Sequence, residues 1–112
     1  MRSMLFERLA LSGSILSEVS QAVSMDGANA AQVDFVVVSL SGTTPTVTGQ
    51  LQESNDLENW RDKGGTTALS AVGYSLGTAV TGIAAAYVRL KFTAGGTTPI
   101  AVVSAGLSTS LQ

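Results

Sequence analysis

The chain contains no cysteine and no histidine. Without cysteine there is no disulfide framework, no thiolate nucleophile and no thiolate metal site, and the sequence is silent about redox compartment. Without histidine the commonest general base, the commonest metal ligand and the Ser–His dyad drop out together. Charge is scarce as well. Charged residues make up 12% of the 112 positions, about half the usual share of roughly 25%. The six basic residues fall in scattered pairs, Arg2 with Arg8, Arg61 with Lys63 and Arg89 with Lys91, and the net charge is −2. Phosphate neutralisation has little to work with, so no nucleic-acid partner is expected. Long apolar runs are also missing. Residues 1–11 carry Glu7 and Arg8 inside their apolar stretch, which makes a poor signal peptide. No run approaches the roughly 20 residues that a helical membrane span needs, so no membrane association is expected.

What remains is apolar and hydroxylated. Hydrophobic residues reach 45%, mostly Ala, Val and Leu, enough for a core without staples. The length suits a single domain over residues 1–112. Segments of about eight to ten residues alternate with turn clusters, which predicts an all-β fold. The expected form is a single antiparallel, jelly-roll-like β-sandwich of about seven or eight strands. Its core is expected at Val33, Phe35, Val37, Leu51, Val88, Leu90 and Phe92. Residues 32–40 and 46–53 read together as a hairpin around a loop at 41–45. Residues 66–76 and 78–83 read as weaker strands, and residues 84–93 and 100–111 as strong ones flanking a loop at 94–99. Residues 15–25 fit both a helical stripe and strand alternation; the poor helix propensity of Val and Ser favours strand. The phrases Ser-Gly-Thr-Thr-Pro at 41–45 and Gly-Gly-Thr-Thr-Pro at 95–99 echo one another, which reads as shared loop chemistry rather than duplication.

Six of the fourteen charges lie between Glu53 and Lys63, around the single tryptophan, Trp60. Paired carboxylates beside an aromatic suit glycoside hydrolysis, and Asp56, Glu58 and Asp62 offer oxygen ligands to a hard cation. Their spacing matches no calcium loop, and a charge-poor domain keeps its charges in a wet connecting loop. No catalytic residue, metal ligand or cofactor is therefore expected. Trp60, with Asp56 and Asn59, is a candidate ligand or partner contact through stacking; the alternative is that the indole covers the open end of the sandwich. Arg89 is expected to face outward and pair with an acid across the sheet. Residues 1–11 form a candidate partner-contacting arm or strand through Leu5, Phe6 and Leu9, with a neighbour's sheet edge slightly favoured over the chain's own. Val36 and Val38 make the second face of residues 32–40 apolar too, so something outside the domain should cover it.

Two of these motifs carry a resemblance. Ser54-Asn55-Asp56-Leu57-Glu58-Asn59-Trp60 resembles the Ser-Asn-Asp-Gly-x-x-Trp element of discoidin-like (galactose-binding-like) β-sandwiches, and Ala86-Tyr87-Val88-Arg89-Leu90 is similar to their Arg-Tyr-Val-Arg-Leu strand. The pair spans residues 47–92. It also looks like pairs found in small structural proteins of tailed bacteriophages, and the absence of cysteine and the short length bring the chain nearer to those. Leu57 stands where the family has Gly, which argues against a left-handed residue there, and Ala86 stands where it has Arg. The resemblance implies a non-enzymatic virion structural protein, a capsid decoration or cement subunit located in the virion. Its implied partners are the major capsid protein or another virion protein, and further copies of itself as a homo-oligomer. The alternative is a carbohydrate-binding module using the loop around Trp60. With neither histidine nor cysteine and unsuitable acid spacing, the melting temperature is predicted to be unchanged by EDTA; a fall of many degrees would contradict this.

Overall fold

The computed structural model describes residues 2–13, 15–77 and 79–111, with the side chains of Arg2, Ser3, Leu5, Phe6 and Glu7 outside the description. Among the described residues eight strands follow one another: β1 Arg2–Leu11, β2 Ser17–Val19, β3 Val23–Ser24, β4 Ala30–Ser54, β5 Arg61–Asp62, β6 Thr67–Leu69, β7 Gly73–Leu76 and β8 Tyr87–Ser110. All pairings are antiparallel, and there is no helix among the described residues.

β4 and β8 pair from Ala30↔Ser110 to Ser54↔Tyr87. A straight 25-residue strand reaches about 80 Å at roughly 3.3 Å per residue, yet the longest dimension of the molecule is 42 Å. The ribbon therefore doubles back, and the other strands flank its two halves. In the first layer β1 lies beside residues 101–108 of β8, and β7 lies beside residues 34–37 of β4. In the second layer β2 and β3 line residues 87–93 of β8, while β5 and β6 line residues 47–53 of β4. The result is the expected antiparallel sandwich, made from one continuous sheet folded over.

The two echoing phrases make the fold. Gly42 and Gly96 sit at φ +123° and +104°, and Thr44 and Thr98 at +47° and +45°. Thr43 pairs with Thr97, and the ladder shifts register on both sides of it, so each strand bulges and bends there. The two segments seat in each other. A Cβ on Gly42 would meet the Thr98 carbonyl oxygen at 2.9 Å, and one on Gly96 would meet the Thr44 carbonyl oxygen at 2.6 Å. Glycine is needed on both strands for the conformation and for the close approach.

Folding the ribbon brings Phe35 of the first layer against Phe92 of the second, edge to face at 5.1 Å. Such a pair contributes about 0.5–1.5 kcal/mol beyond burial. Gly49, opposite Phe92 in the ladder, leaves the room: a Cβ there would lie 2.9 Å from the Phe92 ring. Val37, Leu51, Val88 and Leu90 are buried around the pair, with Val33 half-buried against them. Six of the seven expected core positions are buried and Val33 is half-buried; Leu11, Val47, Val103 and Leu107 are buried with them.

Other expectations change. Residues 32–40 and 46–53 do not form a hairpin with each other; both pair with β8 as one bent strand, because the positive-φ bulges bend the chain without reversing it. Residues 41–45 and 94–99 are accordingly strand, not loop. Residues 15–25 hold two short strands and no helix among those described, and residues 79–83 contribute only a bridge from Val80 to Ala31. The N-terminal segment adds a strand to its own sheet, from Arg2↔Ser108 to Leu11↔Ala101.

Replacing Gly42 or Gly96 by Ala is predicted to destabilise the protein by about 2–4 kcal/mol each, from strained φ combined with backbone collision. Urea unfolding followed by circular dichroism measures this. Gly65→Ala, where a Cβ meets nothing, is the control.

Candidate functional site

The loop that leaves β4 is built around a buried hydroxyl. Ser54 has no exposed surface. Its Oγ accepts the backbone N–H groups of Asp56 at 3.2 Å and Leu57 at 3.1 Å, and donates to Asp56 Oδ1 at 2.9 Å. The same Oδ1 accepts the N–H groups of Glu58 at 2.9 Å and Asn59 at 2.8 Å, and Asp56 Oδ2 accepts Asn59 Nδ2 at 2.7 Å. These bonds favour the ionised form and hold the Asp56 carboxyl far below the usual carboxylate range. Asn55 Oδ1 accepts the Ala86 N–H at 2.9 Å, tying the loop to the start of β8. Leu57 adopts φ +65°. The left-handed turn is kept although Gly is replaced, because the Asp56 and Ser54 bonds on either side impose it.

Trp60 closes the loop. Its Nε1–H donates to the Leu57 carbonyl at 3.3 Å, and the Arg89 guanidinium lies 4.3 Å from its ring centroid. Val88 and Leu90 are buried, so Arg89 projects from the outer face of the second layer. Trp60 is therefore half-buried beneath a cation on that face, not a cap on the end of the core. Arg89 Nε donates to Gln52 Oε1 at 2.8 Å, and Gln52 Nε2 donates to Asp62 Oδ1 at 3.0 Å. The expected cross-strand partner, an acid, is thus replaced by Gln52 and the indole, with Asp62 one step further. Partial burial lowers the Arg89 pKa while leaving it protonated. Beside this network Glu53 is buried against the sheet and pairs with Arg61 at 2.6 Å.

The structure brings Trp60, Asp56 and Asn59 into one loop, where Asp56 accepts both Asn59 N–H donors and Trp60 donates to the Leu57 carbonyl. Among the described residues there is no group of three or more acids positioned to hold a metal. Leu9 is half-buried against the core, which engages it within its own domain. The side chains of Leu5 and Phe6 lie outside the described residues.

A second feature was only partly visible in the sequence. The outer face of the second layer is polar, with Thr48, Gln50, Gln52, Arg89, Lys91 and Thr93 alternating with buried residues. The outer face of the first layer is mixed: Gln32, Asp34 and Ser104 share it with a group of exposed apolar side chains. Val36 stands opposite Tyr74, with Leu76 two residues on, and Val102, Ile100, Ala10 and Met4 continue across the strands. Sequence reading found Val36 and Val38 only. The Tyr74–Leu76 alternation was the remaining signal.

No protein-family pattern matches the sequence, and no functionally characterised protein matches it in sequence. In three dimensions the chain is similar to the PBSX exported protein XepA, with a TM-score of 0.76 at 12% identity, over 100% of this chain and 37% of that one. It is also similar to CBM28, a carbohydrate-binding module specific for non-crystalline cellulose, with a TM-score of 0.62 at 6% identity over 92% and 73% of the two chains. A third likeness is to the CBM36-1 domain of a multidomain xylanase from the hindgut metagenome of Trinervitermes trinervoides, with a TM-score of 0.60 at 7% identity over 96% and 97%. At these identities the likenesses establish the β-sandwich fold. The chain spans little more than a third of the length of XepA.

Asp56→Ala is predicted to lower the melting temperature at neutral pH. The folded pKa lies below the unfolded value of about 3.9, so the contribution is present above that value and is lost as pH falls through the folded pKa. The gap between wild type and variant should narrow as melting is followed into strong acid. A constant gap would show that the carboxylate charge is not what matters.

Proposed function

We propose that the chain is a non-catalytic structural subunit of a phage-type particle, a capsid decoration or cement subunit that binds the major capsid protein or another virion protein by lateral surface contact. The observation that carries this reading is the one-sidedness of the sandwich. One layer exposes a group of large apolar side chains, Val36, Tyr74, Leu76 and Ile100, on a chain with few charges, and such a group marks a contact surface. The fold likeness to the PBSX exported protein XepA supports it, as does the motif resemblance to phage structural proteins. Decoration needs no catalytic group, since an interface of many small contacts depends on complementarity rather than on a special residue.

Carbohydrate binding is the second reading, favoured by the likeness to CBM28 and CBM36-1. Against it, one face of Trp60 is occupied by Arg89, and Asp56 is saturated by its own loop. A sugar would have to displace a cation from the ring it stacks on.

Purified protein is predicted to co-sediment with particles of the same genetic source that lack it, and to appear by electron microscopy as regular surface density. Trp60 fluorescence should not change on titration with cello- and xylo-oligosaccharides. A saturable emission shift without particle binding would replace the first reading by the second.

A further inference from the structure

We infer that the recess beside the bend of β8 is a binding site for a small uncharged ligand with an apolar body and a single hydroxyl or carbonyl group. The inference goes beyond the proposed function and does not depend on it.

The recess follows from how the strands meet the corner. β4 tracks β8 through the bend, by way of Ser41↔Ile100, Thr43↔Thr97 and Thr46↔Gly95. On the opposite edge of β8 the neighbouring strands stop short. β1 ends at Leu11↔Ala101, and β2 begins at Ser17↔Thr93. The chain between them does not follow the curve. It turns back on itself, with Ser12 N–H donating to the Ile15 carbonyl at 2.9 Å and Ile15 N–H donating to the Ser12 carbonyl at 3.0 Å. Within this gap the edge is tied by the Ala94 N–H, which donates to the Leu16 carbonyl at 2.8 Å. What remains is a recess of about 540 Å³, inside the range of roughly 300–1,000 Å³ of small-molecule sites.

Two glycines keep it open. A Cβ on Gly96 would meet the Thr44 carbonyl oxygen at 2.6 Å, so the corner itself excludes a side chain there. Gly13 sits at φ +61°, a conformation that side chains rarely adopt, and a Cβ there would meet nothing within 4 Å. The contact that folds the sheet therefore also preserves the space beside it.

The lining selects the ligand. Leu16, Pro99 and Ile100 supply apolar surface, Ser12 and Thr98 have the polar side chains, and no lining residue is charged. Ile100 is 53% exposed, so covering it is favourable. A carboxylate or an ammonium would lose hydration there with no opposite charge among the lining residues. A sugar would bring more hydroxyls than Ser12 and Thr98 can match, and each unmatched polar group costs affinity. An apolar molecule with one polar group meets both constraints. Once bound, it would bridge the turn at 12–16 and the bend of β8 and so brace the corner.

The test is a titration of isotope-labelled protein with benzyl alcohol, followed through the backbone amide resonances. Saturable shifts are expected at residues 12–16 and 94–100, with a dissociation constant in the millimolar range usual for so small a molecule. At about ten times that concentration the melting temperature should rise by several degrees. Benzoate, benzylamine and xylose should each bind at least about tenfold more weakly. Ser12→Phe, which fills the recess from an exposed turn, should abolish the saturable shifts. Ile100→Ser, which removes an apolar wall, should weaken binding by roughly 3- to 10-fold. The amide spectrum reports whether each variant folds, and the wild-type comparison of the four compounds decides the matter without them. Shifts that do not saturate, shifts centred elsewhere, or benzoate or xylose binding as tightly as benzyl alcohol would overturn the inference.

Discussion

The reciprocal contact of Gly42 with Thr97 to Pro99, and of Gly96 with Thr43 to Pro45, sets the geometry on which the rest of the molecule depends. Two strands of 25 and 24 residues must bend together, since bending one alone would tear the ladder between them. The chain solves this by placing the same tetrapeptide, Gly-Thr-Thr-Pro, at facing positions on both strands. Each glycine accepts the other's backbone, each second threonine turns left-handed, and each proline resumes the strand without needing a ladder donor. The two layers are brought into register by that corner, and only then can Phe35 reach Phe92 across the space that Gly49 leaves.

The loop from Ser54 to Trp60 shows how a motif that suggests binding can serve architecture. Its side chains form two polar groups, Ser54 with Asp56 and Asn59, and Trp60 with Arg89, Gln52 and Asp62, joined through the loop backbone where the indole bonds the Leu57 carbonyl. Each partner removes a group that a ligand would need. The same loop explains why its motif and the β8 motif occur as a pair about 30 residues apart in sequence: Asn55 bonds Ala86, and Arg89 lies over Trp60. A fold needs both ends of such a clasp, so their joint presence speaks to the sandwich rather than to a particular ligand.

Much of this was legible beforehand, and the failures have physical causes. The core positions follow from period-two alternation, which needs only local sequence. The error at residues 32–53 arose because Gly, Thr and Pro signal a chain reversal in isolation. Whether such a segment reverses or bends depends on what lies across the ladder, here a second copy of the same phrase 54 positions away. Leu57 was misjudged for a related reason. Intrinsic preference disfavours its φ, but the hydrogen bonds of Ser54 and Asp56 outweigh that preference, and they were not visible from residue types. The exposed apolar group of the first layer was half seen, because Tyr74 and Leu76 lie in a segment whose glycines obscured its strand character.

The position of β8 in the sheet has a consequence for how the polypeptide acquires its shape. β1, β2, β3 and β4 all pair with it, and it follows every other strand in sequence. As the chain emerges from the ribosome, the first three strands have no partner, and β4 has only the short strands β5, β6 and β7. The sandwich therefore closes in one late step that gathers residues as distant as Arg2 and Ser108. That topology places the protein among slow folders, since loop closure must precede the contacts that reward it. Until then the unpaired length of β4, rich in valine, is the segment most open to pairing with another nascent chain.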